Sequence, residues 1–448
     1  MNAFDKIKFC IEQNCFETSL SSFAISDFLK TKGYNPEVIL LYPVSLIFNS
    51  TLIKKKEFQT KCCSEFYESL VKVLEKPDDY LKNPVMFFKK HPHSKEVEEC
   101  KVIHSLGEYD IYNIPDIPDK HIPFDCSYSD IVLMIMTDMI KRCLTKGEEI
   151  KRVIVDISSG HNIYVFALIE ALKYLNVWLK LYNCNKDAPT NEIAFSDPII
   201  SGGKQTEYKI YFEKQSVKAF FTSPIKNEDI TNFKLAKAIF SDIDQREKKQ
   251  KIQKKLEKFL LLFSAIKNNA PLAVYHLLDH EVKDILQILE ELINHIEKKL
   301  TEKYNTSPKL NKDDYTNAIL ALGFYIGIRK LLQEVCISNE ADGINIKNIR
   351  ENFQKIYNVF GLNLNDTVLG NEVDKIEKGI KPTTEWTNLI DLLYAGDKSI
   401  STPQKRNFFA HAGFEGCVTE CKMKNDHIYV RYKETYIDTI NSWLKESV

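Results

Sequence analysis

RVIVDISSGHNIYVFALIEAL, residues 152–172, decides what kind of fold the N-terminal half of this chain has. From Val153 to Ile157 the run is almost wholly apolar, as in a strand buried on both faces. From Asn162 onward the apolar residues recur at the helical period instead. The turn between them is Ser158-Ser159-Gly160-His161. At the carboxyl end of a parallel strand such a turn offers free backbone N–H groups and the positive end of a helix dipole, which suits a phosphate. Ser and Asn also cap helices with no ligand at all, so the turn alone leaves both readings open.

Working outward, short apolar runs at Ile7–Ile11, Glu37–Tyr42 and Val177–Tyr182 read as further strands, and Glu207–Phe212 and Glu192–Phe195 as a last pair. Helical patterns at Ser19–Lys32, Cys62–Leu74, Tyr128–Leu144 and Asn162–Leu175 alternate with them. This alternation predicts a Rossmann-like α/β domain, a parallel sheet covered on both faces, over residues 1–215. Lys76–Phe124 shows no period and reads as a long connection with at most one short strand, with His91 and His93 exposed on it. The loop after the first strand, EQNCFETSLSS (12–22), presents Asn14, Thr18 and Ser19 ahead of another helix. On a parallel sheet these groups would share a crevice with residues 158–162.

Beyond about residue 245 the pattern changes to long helices. In DILQILEELINHIEKKL (284–300) Ile285, Leu289, Leu292, Ile296 and Leu300 form one apolar stripe. Further helices are expected at Lys249–Lys267, Asp313–Cys336, Ile346–Phe360 and Glu385–Tyr394, which makes the C-terminal part an all-α bundle. CVTECKMKNDHIYVRYK (417–433) reads as a β-hairpin turning near Asn425-Asp426, followed by a terminal helix. The domains expected are therefore 1–215, a connecting segment 216–300, and 301–448.

The bulk numbers exclude several classes. Lysine and arginine count 61 against 62 acids, so no global field draws the chain onto nucleic acid or an anionic membrane, and any phosphate site is local. The eleven cysteines contain no C-x-x-C pair, which predicts reduced thiols in a cytosol. Cys417, Cys421 and His427 match no common zinc spacing and read as hairpin residues. His276 and His280 lack the glutamate of a zincin motif and read as structural. The basic run REKKQKIQKKLEKF (246–259) carries Ile252, Leu256 and Phe259, and so reads as a solvated helix with one apolar side. No secretory segment is evident, and no apolar run approaches the roughly 18 residues that cross a bilayer, so a cytoplasmic protein without membrane or DNA partners is expected.

The second informative stretch is SISTPQKRNFFAHAGFEG (399–416). It parses as a short helix with Ser401 or Thr402 as N-cap, Pro403 in the first turn and Gly413 at the exit. Arg406 and His411 lie about 140° apart on a regular helix and share no face. They can converge through the length of the arginine or across a symmetry axis. A histidine to move protons and an arginine to hold a phosphorane suit metal-free RNA cleavage, with Asn407 orienting the ribose or the other groups. Spacing alone favours packing, since Arg and His stand this far apart in many proteins.

Together the motifs resemble a known family. RNFFAHAGFEG resembles the R-N-x-x-x-H signature of HEPN ribonucleases, and VDISSGHN resembles the D-x-[ST]-x-G-x-N turn of CARF domains. The order, sensor first and helical nuclease last, is that of the CARF–HEPN effector ribonucleases of type III CRISPR systems. The glycine often found after the first CARF strand is absent.

The resemblance implies a homodimer, or a higher homo-oligomer, that pools two copies of Arg406, Asn407 and His411 and cuts single-stranded RNA without a catalytic cofactor. It also implies an allosteric activator, cyclic tetra-adenylate ahead of the hexamer, on Ser158, Ser159, Gly160, His161 and Asn162 with Asn14, Thr18 and Ser19. The rival from another class is a non-catalytic nucleotide-sensing module that dimerises through its helical domain.

Overall fold

The computed structural model describes residues 6–48, 64–112, 114, 117–184, 188–199, 205–217, 221–231, 246–278, 282–308, 310–338, 343–393 and 402–448. The chain forms two compact units. The first comprises residues 1–177, 188–217 and 293–312, and the second 178–187, 218–292 and 313–448.

The strands of the first unit are β1 (Ile7–Ile11), β2 (Asn14–Thr18), β3 (Ile39–Pro43), β4 (Glu99–Ile103), β5 (Gly107–Ile111), β6 (Lys120–Phe124), β7 (Arg152–Asp156), β8 (Thr190–Ser196) and β9 (Glu207–Gln215). Five of them make one sheet in the order β2-β1-β9-β8-β7. Its parallel pairs are β1 with β9 and β7 with β8, as the buried apolar runs predict. The others are antiparallel, β1 with β2 and β8 with β9. The sheet is therefore mixed, and β7 points opposite to β1. β3 and β4 pair in parallel, and β5 and β6 form a hairpin.

The helices of this region are α1 (Ser21–Thr31), α2 (Ser64–Glu75), α3 (Pro77–Lys82), α4 (Val85–Phe88), α5 (Tyr128–Lys146) and α6 (Asn162–Asn183). Ala24, Ile25, Phe28 and Leu29 of α1 bury against Phe9 and Ile11 of β1 and Ala194, Tyr208 and Ile210 of the next strands. α5 starts on a capping box in which the Ser127 hydroxyl and the Asp130 carboxylate satisfy each other's backbone N–H groups. Asp130 is wholly buried, accepts a hydrogen bond from Ser307 and lies 3.0 Å from Lys312, while Glu297 takes Lys101 at 2.9 Å. These charge pairs bind residues 293–312 into the first unit.

Several expectations fail here for identifiable reasons. Val177–Tyr182 is not a strand but the last turns of α6; with Lys180 its one exposed residue, so short and apolar a piece of helix has no period to tell it from a strand. Lys76–Phe124 is not a connection, since it carries two helices and three strands too short to show amphipathicity. His93 on it is buried rather than exposed, and burial, then the neighbouring His93, pushes the pKa of His91 down to about 4. The loop after β1 is a two-residue hairpin turn. It brings Cys10 opposite Cys15, and the two form a disulfide, contrary to the all-reduced expectation.

The second unit holds α7 (Asn227–Thr231), α8 (Arg246–Lys267), α9 (Pro271–His276), α10 (Val282–Thr301), which continues into the first unit, α11 (Lys312–Glu334), α12 (Ile346–Phe360), α13 (Asn363–Gly379), α14 (Leu389–Leu393), α15 (Lys405–Ala410) and α16 (Ile437–Lys445). Strands β10 (Ile344–Asn345), β11 (Thr387–Asn388), β12 (Thr419–Lys424) and β13 (His427–Tyr432) form a small antiparallel sheet in the order β10-β13-β12-β11. Asn425 and Asp426 both have positive φ, the conformation the tight turn of this hairpin needs. The stripe on α10 is fully buried, as is the apolar side of α8 at Ile252, Leu256 and Phe259. In place of a helix over Glu385–Tyr394 the chain makes β11 and then α14, with Tyr394 outside the described residues, as are Cys62, His280 and Ser401. His276 is half-buried and stacks on Tyr432. Cys417 and Cys421 are buried, whereas His427 is exposed at the hairpin turn.

Within this unit α11 packs on the end of α6 with almost no clearance. A Cβ on Gly327 would fall 2.0 Å from the Leu181 carbonyl oxygen, and one on Gly323 2.4 Å from Trp178 Nε1. Gly327→Ala is expected to lower the urea midpoint by an amount equivalent to about 1–3 kcal/mol of overpacking. A second measurement concerns pH. Because the folded value of His91 lies below its ordinary value of about 6.5, the unfolded chain binds the extra proton first. His91 therefore contributes stability above pH 6.5 that is lost as the pH falls toward 4, and a His91→Gln variant should show a flatter fall in thermal midpoint over that window.

Candidate functional site

The R-N-x-x-x-H stretch forms α15, a helix of six residues, with Gln404 as N-cap and no side-chain cap. Thr402 therefore does not cap it, and Pro403 lies before it rather than in its first turn. Phe408 is its anchor. The ring is fully buried, edge-on to Phe409 at 5.1 Å and tilted against Trp443 of α16 at 5.4 Å and Tyr432 of β13 at 6.0 Å. Opposite the anchor, Arg406 is exposed, and the half-buried Asn407 donates from its amide to Gln404 Oε1.

His411 is the C-cap residue rather than part of the last turn, its N–H donating to the Asn407 carbonyl. Ala412 and Gly413 follow with positive φ, and the Gly413 carbonyl accepts from the Tyr432 hydroxyl at 3.0 Å. A Cβ at Gly413 would meet Ala270 and that same hydroxyl at 3.0 Å, so both conformation and space require glycine there. Burial raises the Tyr432 pKa well above its ordinary value, which keeps the phenol a donor. Beyond it the buried Glu415 carboxylate accepts from the N–H groups of Cys417 and Val418 and closes the turn into β12.

One partner of this site escaped the sequence reading. Glu372, on α13, places Oε1 3.1 Å from Nδ1 of His411. The Nδ1 atom is shielded from solvent, and the contact has ion-pair distance without hydrogen-bond angles. The imidazole as a whole is about two-fifths exposed, 39%, so its outer edge faces solvent while its inner nitrogen faces the carboxylate. Helix α13 itself was not legible, and no local motif marks Glu372.

In the first unit Asp156 organises the 158–162 turn. Its Oδ1 accepts from the Ser158 N–H and hydroxyl, and Oδ2 accepts from the Ser21 hydroxyl at the start of α1, at 2.6 Å. Ser159, Gly160, His161 and Asn162 are exposed, and Gly160 has φ +122°. The turn and the start of α1 do meet, though not by the parallel-sheet route. β7 opposes β1 in direction, and β2 returns the chain to the edge where β7 ends.

Thr18 and Ser19 lie on that edge and line a cleft of about 550 Å³ with Lys6, Phe23, Lys30 and His93. Asn14 does not join them. It pairs with Ile11 at the other end of the hairpin, one strand length, about 14 Å, from Thr18.

Comparison with known families now has a geometry to attach to. Residues 1–198 match the family model described as CRISPR system endoribonuclease Csx1, CARF domain, and residues 362–434 match that described as CRISPR system endoribonuclease Csx1, HEPN domain. The second match spans α13, with Glu372, through α15, with Arg406 and His411, to the hairpin. No curated protein matches the chain. An N-terminal CARF region with parallel strand pairs and a C-terminal helical HEPN region with a small antiparallel sheet place the chain in the CARF–HEPN family of CRISPR-associated ribonucleases.

Proposed function

We propose that the protein is an endoribonuclease that cuts single-stranded RNA without a metal ion and is switched on by cyclic oligoadenylate, with the tetramer ahead of the hexamer as activator. The observation that carries this reading is an imidazole held with one nitrogen 3.1 Å from a mostly buried carboxylate, at the end of the short helix that bears an exposed guanidinium. A purely structural bundle gains nothing from holding His411 half-exposed against Glu372.

The ribose 2′-oxygen forms a bond to the adjacent phosphorus while the bond from phosphorus to the 5′-oxygen breaks. The 2′-hydroxyl proton goes to a base and the departing 5′-oxygen receives one, leaving a 2′,3′-cyclic phosphate and a 5′-hydroxyl. His411 moves these protons, through the nitrogen that Glu372 does not engage. Arg406 holds the negative phosphorane with paired N–H donors, and Asn407 orients the ribose. In a homodimer, two copies of each group supply the base and the acid.

Glu372 acts through His411, by setting the orientation of the ring. The activator sits on the 158–162 turn and the adjoining Thr18–Ser21 segment in the CARF region, where Lys6 beside Thr18 offers a phosphate partner and Lys30 is paired with Asp27. Asn14 drops out of that set on geometric grounds.

His411→Ala should abolish RNA cleavage in EDTA while leaving binding of the cyclic tetra-adenylate ring unchanged. Undiminished cleavage by that variant would refute the assignment, and ring binding with no RNA cleavage by the wild-type protein would favour a non-catalytic sensor. Glu372→Gln should lower kcat about 10–100-fold with KM unchanged. Combined with His411→Ala it should cost nothing further, as expected of two groups that work as one.

A further inference from the structure

The basic run of α8 is split by the fold in a way its composition does not show. Lys255 is buried, 3.6 Å from Asp284, whereas Lys254, about 100° round the helix from it, is exposed and Lys258 beside them is half-buried. Lys254 and Lys258 line a cleft of about 370 Å³ between α8 and α16. The α16 wall is one helical stripe, Asp438, Asn441, Ser442 and Lys445, at intervals of three and four residues.

The walls are fixed. Ser264 of α8 donates to the Leu444 carbonyl at 2.6 Å, Asn268 to that of Ser447 at 3.1 Å, and Lys445 pairs with Glu257. The other side of α16 carries Trp443, which packs on Phe408, and just past its end Glu446 takes Lys405 of α15 at 2.9 Å. The cleft therefore lies one helix diameter, about 10 Å, from the helix that bears Arg406.

We propose that this cleft is an RNA-tracking groove, in which Lys254 and Lys258 hold two backbone phosphates of a single-stranded substrate and Asn441 and Ser442 hydrogen-bond to its sugars or bases. The inference rests on the ribonuclease reading and extends it to how the strand is held outside the cutting site. The chemistry favours a polyanion over a protein partner. Three lysines and two carboxylates line the cleft, Glu257 is paired with Lys445, Lys254 is exposed, and of the eight lining residues only Leu261 is apolar. The even overall charge of the chain makes such a local concentration necessary for any phosphate contact.

The test is fluorescence anisotropy of a labelled polyuridylate 20-mer on the full-length protein, with and without cyclic tetra-adenylate, in EDTA and in the His411→Ala background so that the strand stays intact. Lys254→Gln/Lys258→Gln should weaken binding roughly tenfold at low salt and reduce the slope of log affinity against log salt by about 1.4, two phosphates at about 0.7 each. Lys254→Glu/Lys258→Glu should weaken it further. Thermal melting of each variant separates lost contacts from lost fold. Because Lys254 and Lys258 lie outside the buried stripe of α8, the melting midpoints are expected to stay within a few degrees of wild type. Unchanged affinity and salt slope in folded variants overturn the groove. Since the readout is binding, failure of the ribonuclease reading would show separately, as wild-type protein that holds RNA and does not cut it.

Discussion

A helix of six residues has no stability of its own, because nucleation costs more than so few hydrogen bonds return. The position of Arg406, Asn407 and His411 therefore rests on the burial of one ring, Phe408, between Trp443 and Tyr432. α15 has no side-chain cap at its N-terminus. At its exit the Tyr432 hydroxyl holds the Gly413 carbonyl, and the same ring touches Phe408. Tyr432 thus fixes the helix twice, once by packing and once by a hydrogen bond. Burial raises its pKa well above the ordinary value, so the phenol keeps the proton that it donates to Gly413.

The parts of this arrangement that could be read from sequence are those set by local rules. The Asn425-Asp426 turn follows from the two residue types that best tolerate positive φ after glycine. The bounds of α12 and the buried stripes of α8 and α10 follow from a period of 3.6 sustained over several turns. Gly413 announced the end of α15, though its side chain is absent as much for lack of room beside Ala270 as for its backbone angle.

What escaped was non-local. Glu372 reaches His411 through tertiary packing of α13, a helix whose apolar positions Leu369, Val373 and Ile376 are diluted by Asn, Asp and Gly. Val177–Tyr182 looked like a strand because Trp178, Leu179 and Leu181 are buried, two of them against Gly323 and Gly327, and Lys180 is the one exposed residue of the six, too little of a solvent face to show a helical period. The CARF turn was recognised correctly as a turn, but its neighbours were assigned by assuming a parallel sheet. A mixed sheet reverses which end of β1 adjoins the end of β7. Asn14 and Thr18, four residues apart, consequently fall at opposite ends of the hairpin, and Ser21, which the motif did not include, makes the contact to Asp156.

Helix α16 shows how one short element serves two separable purposes. Ile440 and Leu444 are buried, Trp443 turns toward Phe408, and the 438-441-442-445 stripe faces α8 across the cleft. Successive residues on a helix differ by about 100°, so neighbours such as Ser442 and Trp443 point in different directions while sharing one rigid backbone. A change in the polar stripe therefore leaves the aromatic anchor in place, whereas a shift of the whole helix would move the cleft and α15 together. The cleft and α15 can in this way be altered by different substitutions, yet keep a fixed spacing, because the Ser264 and Asn268 hydrogen bonds tie the end of α16 to α8.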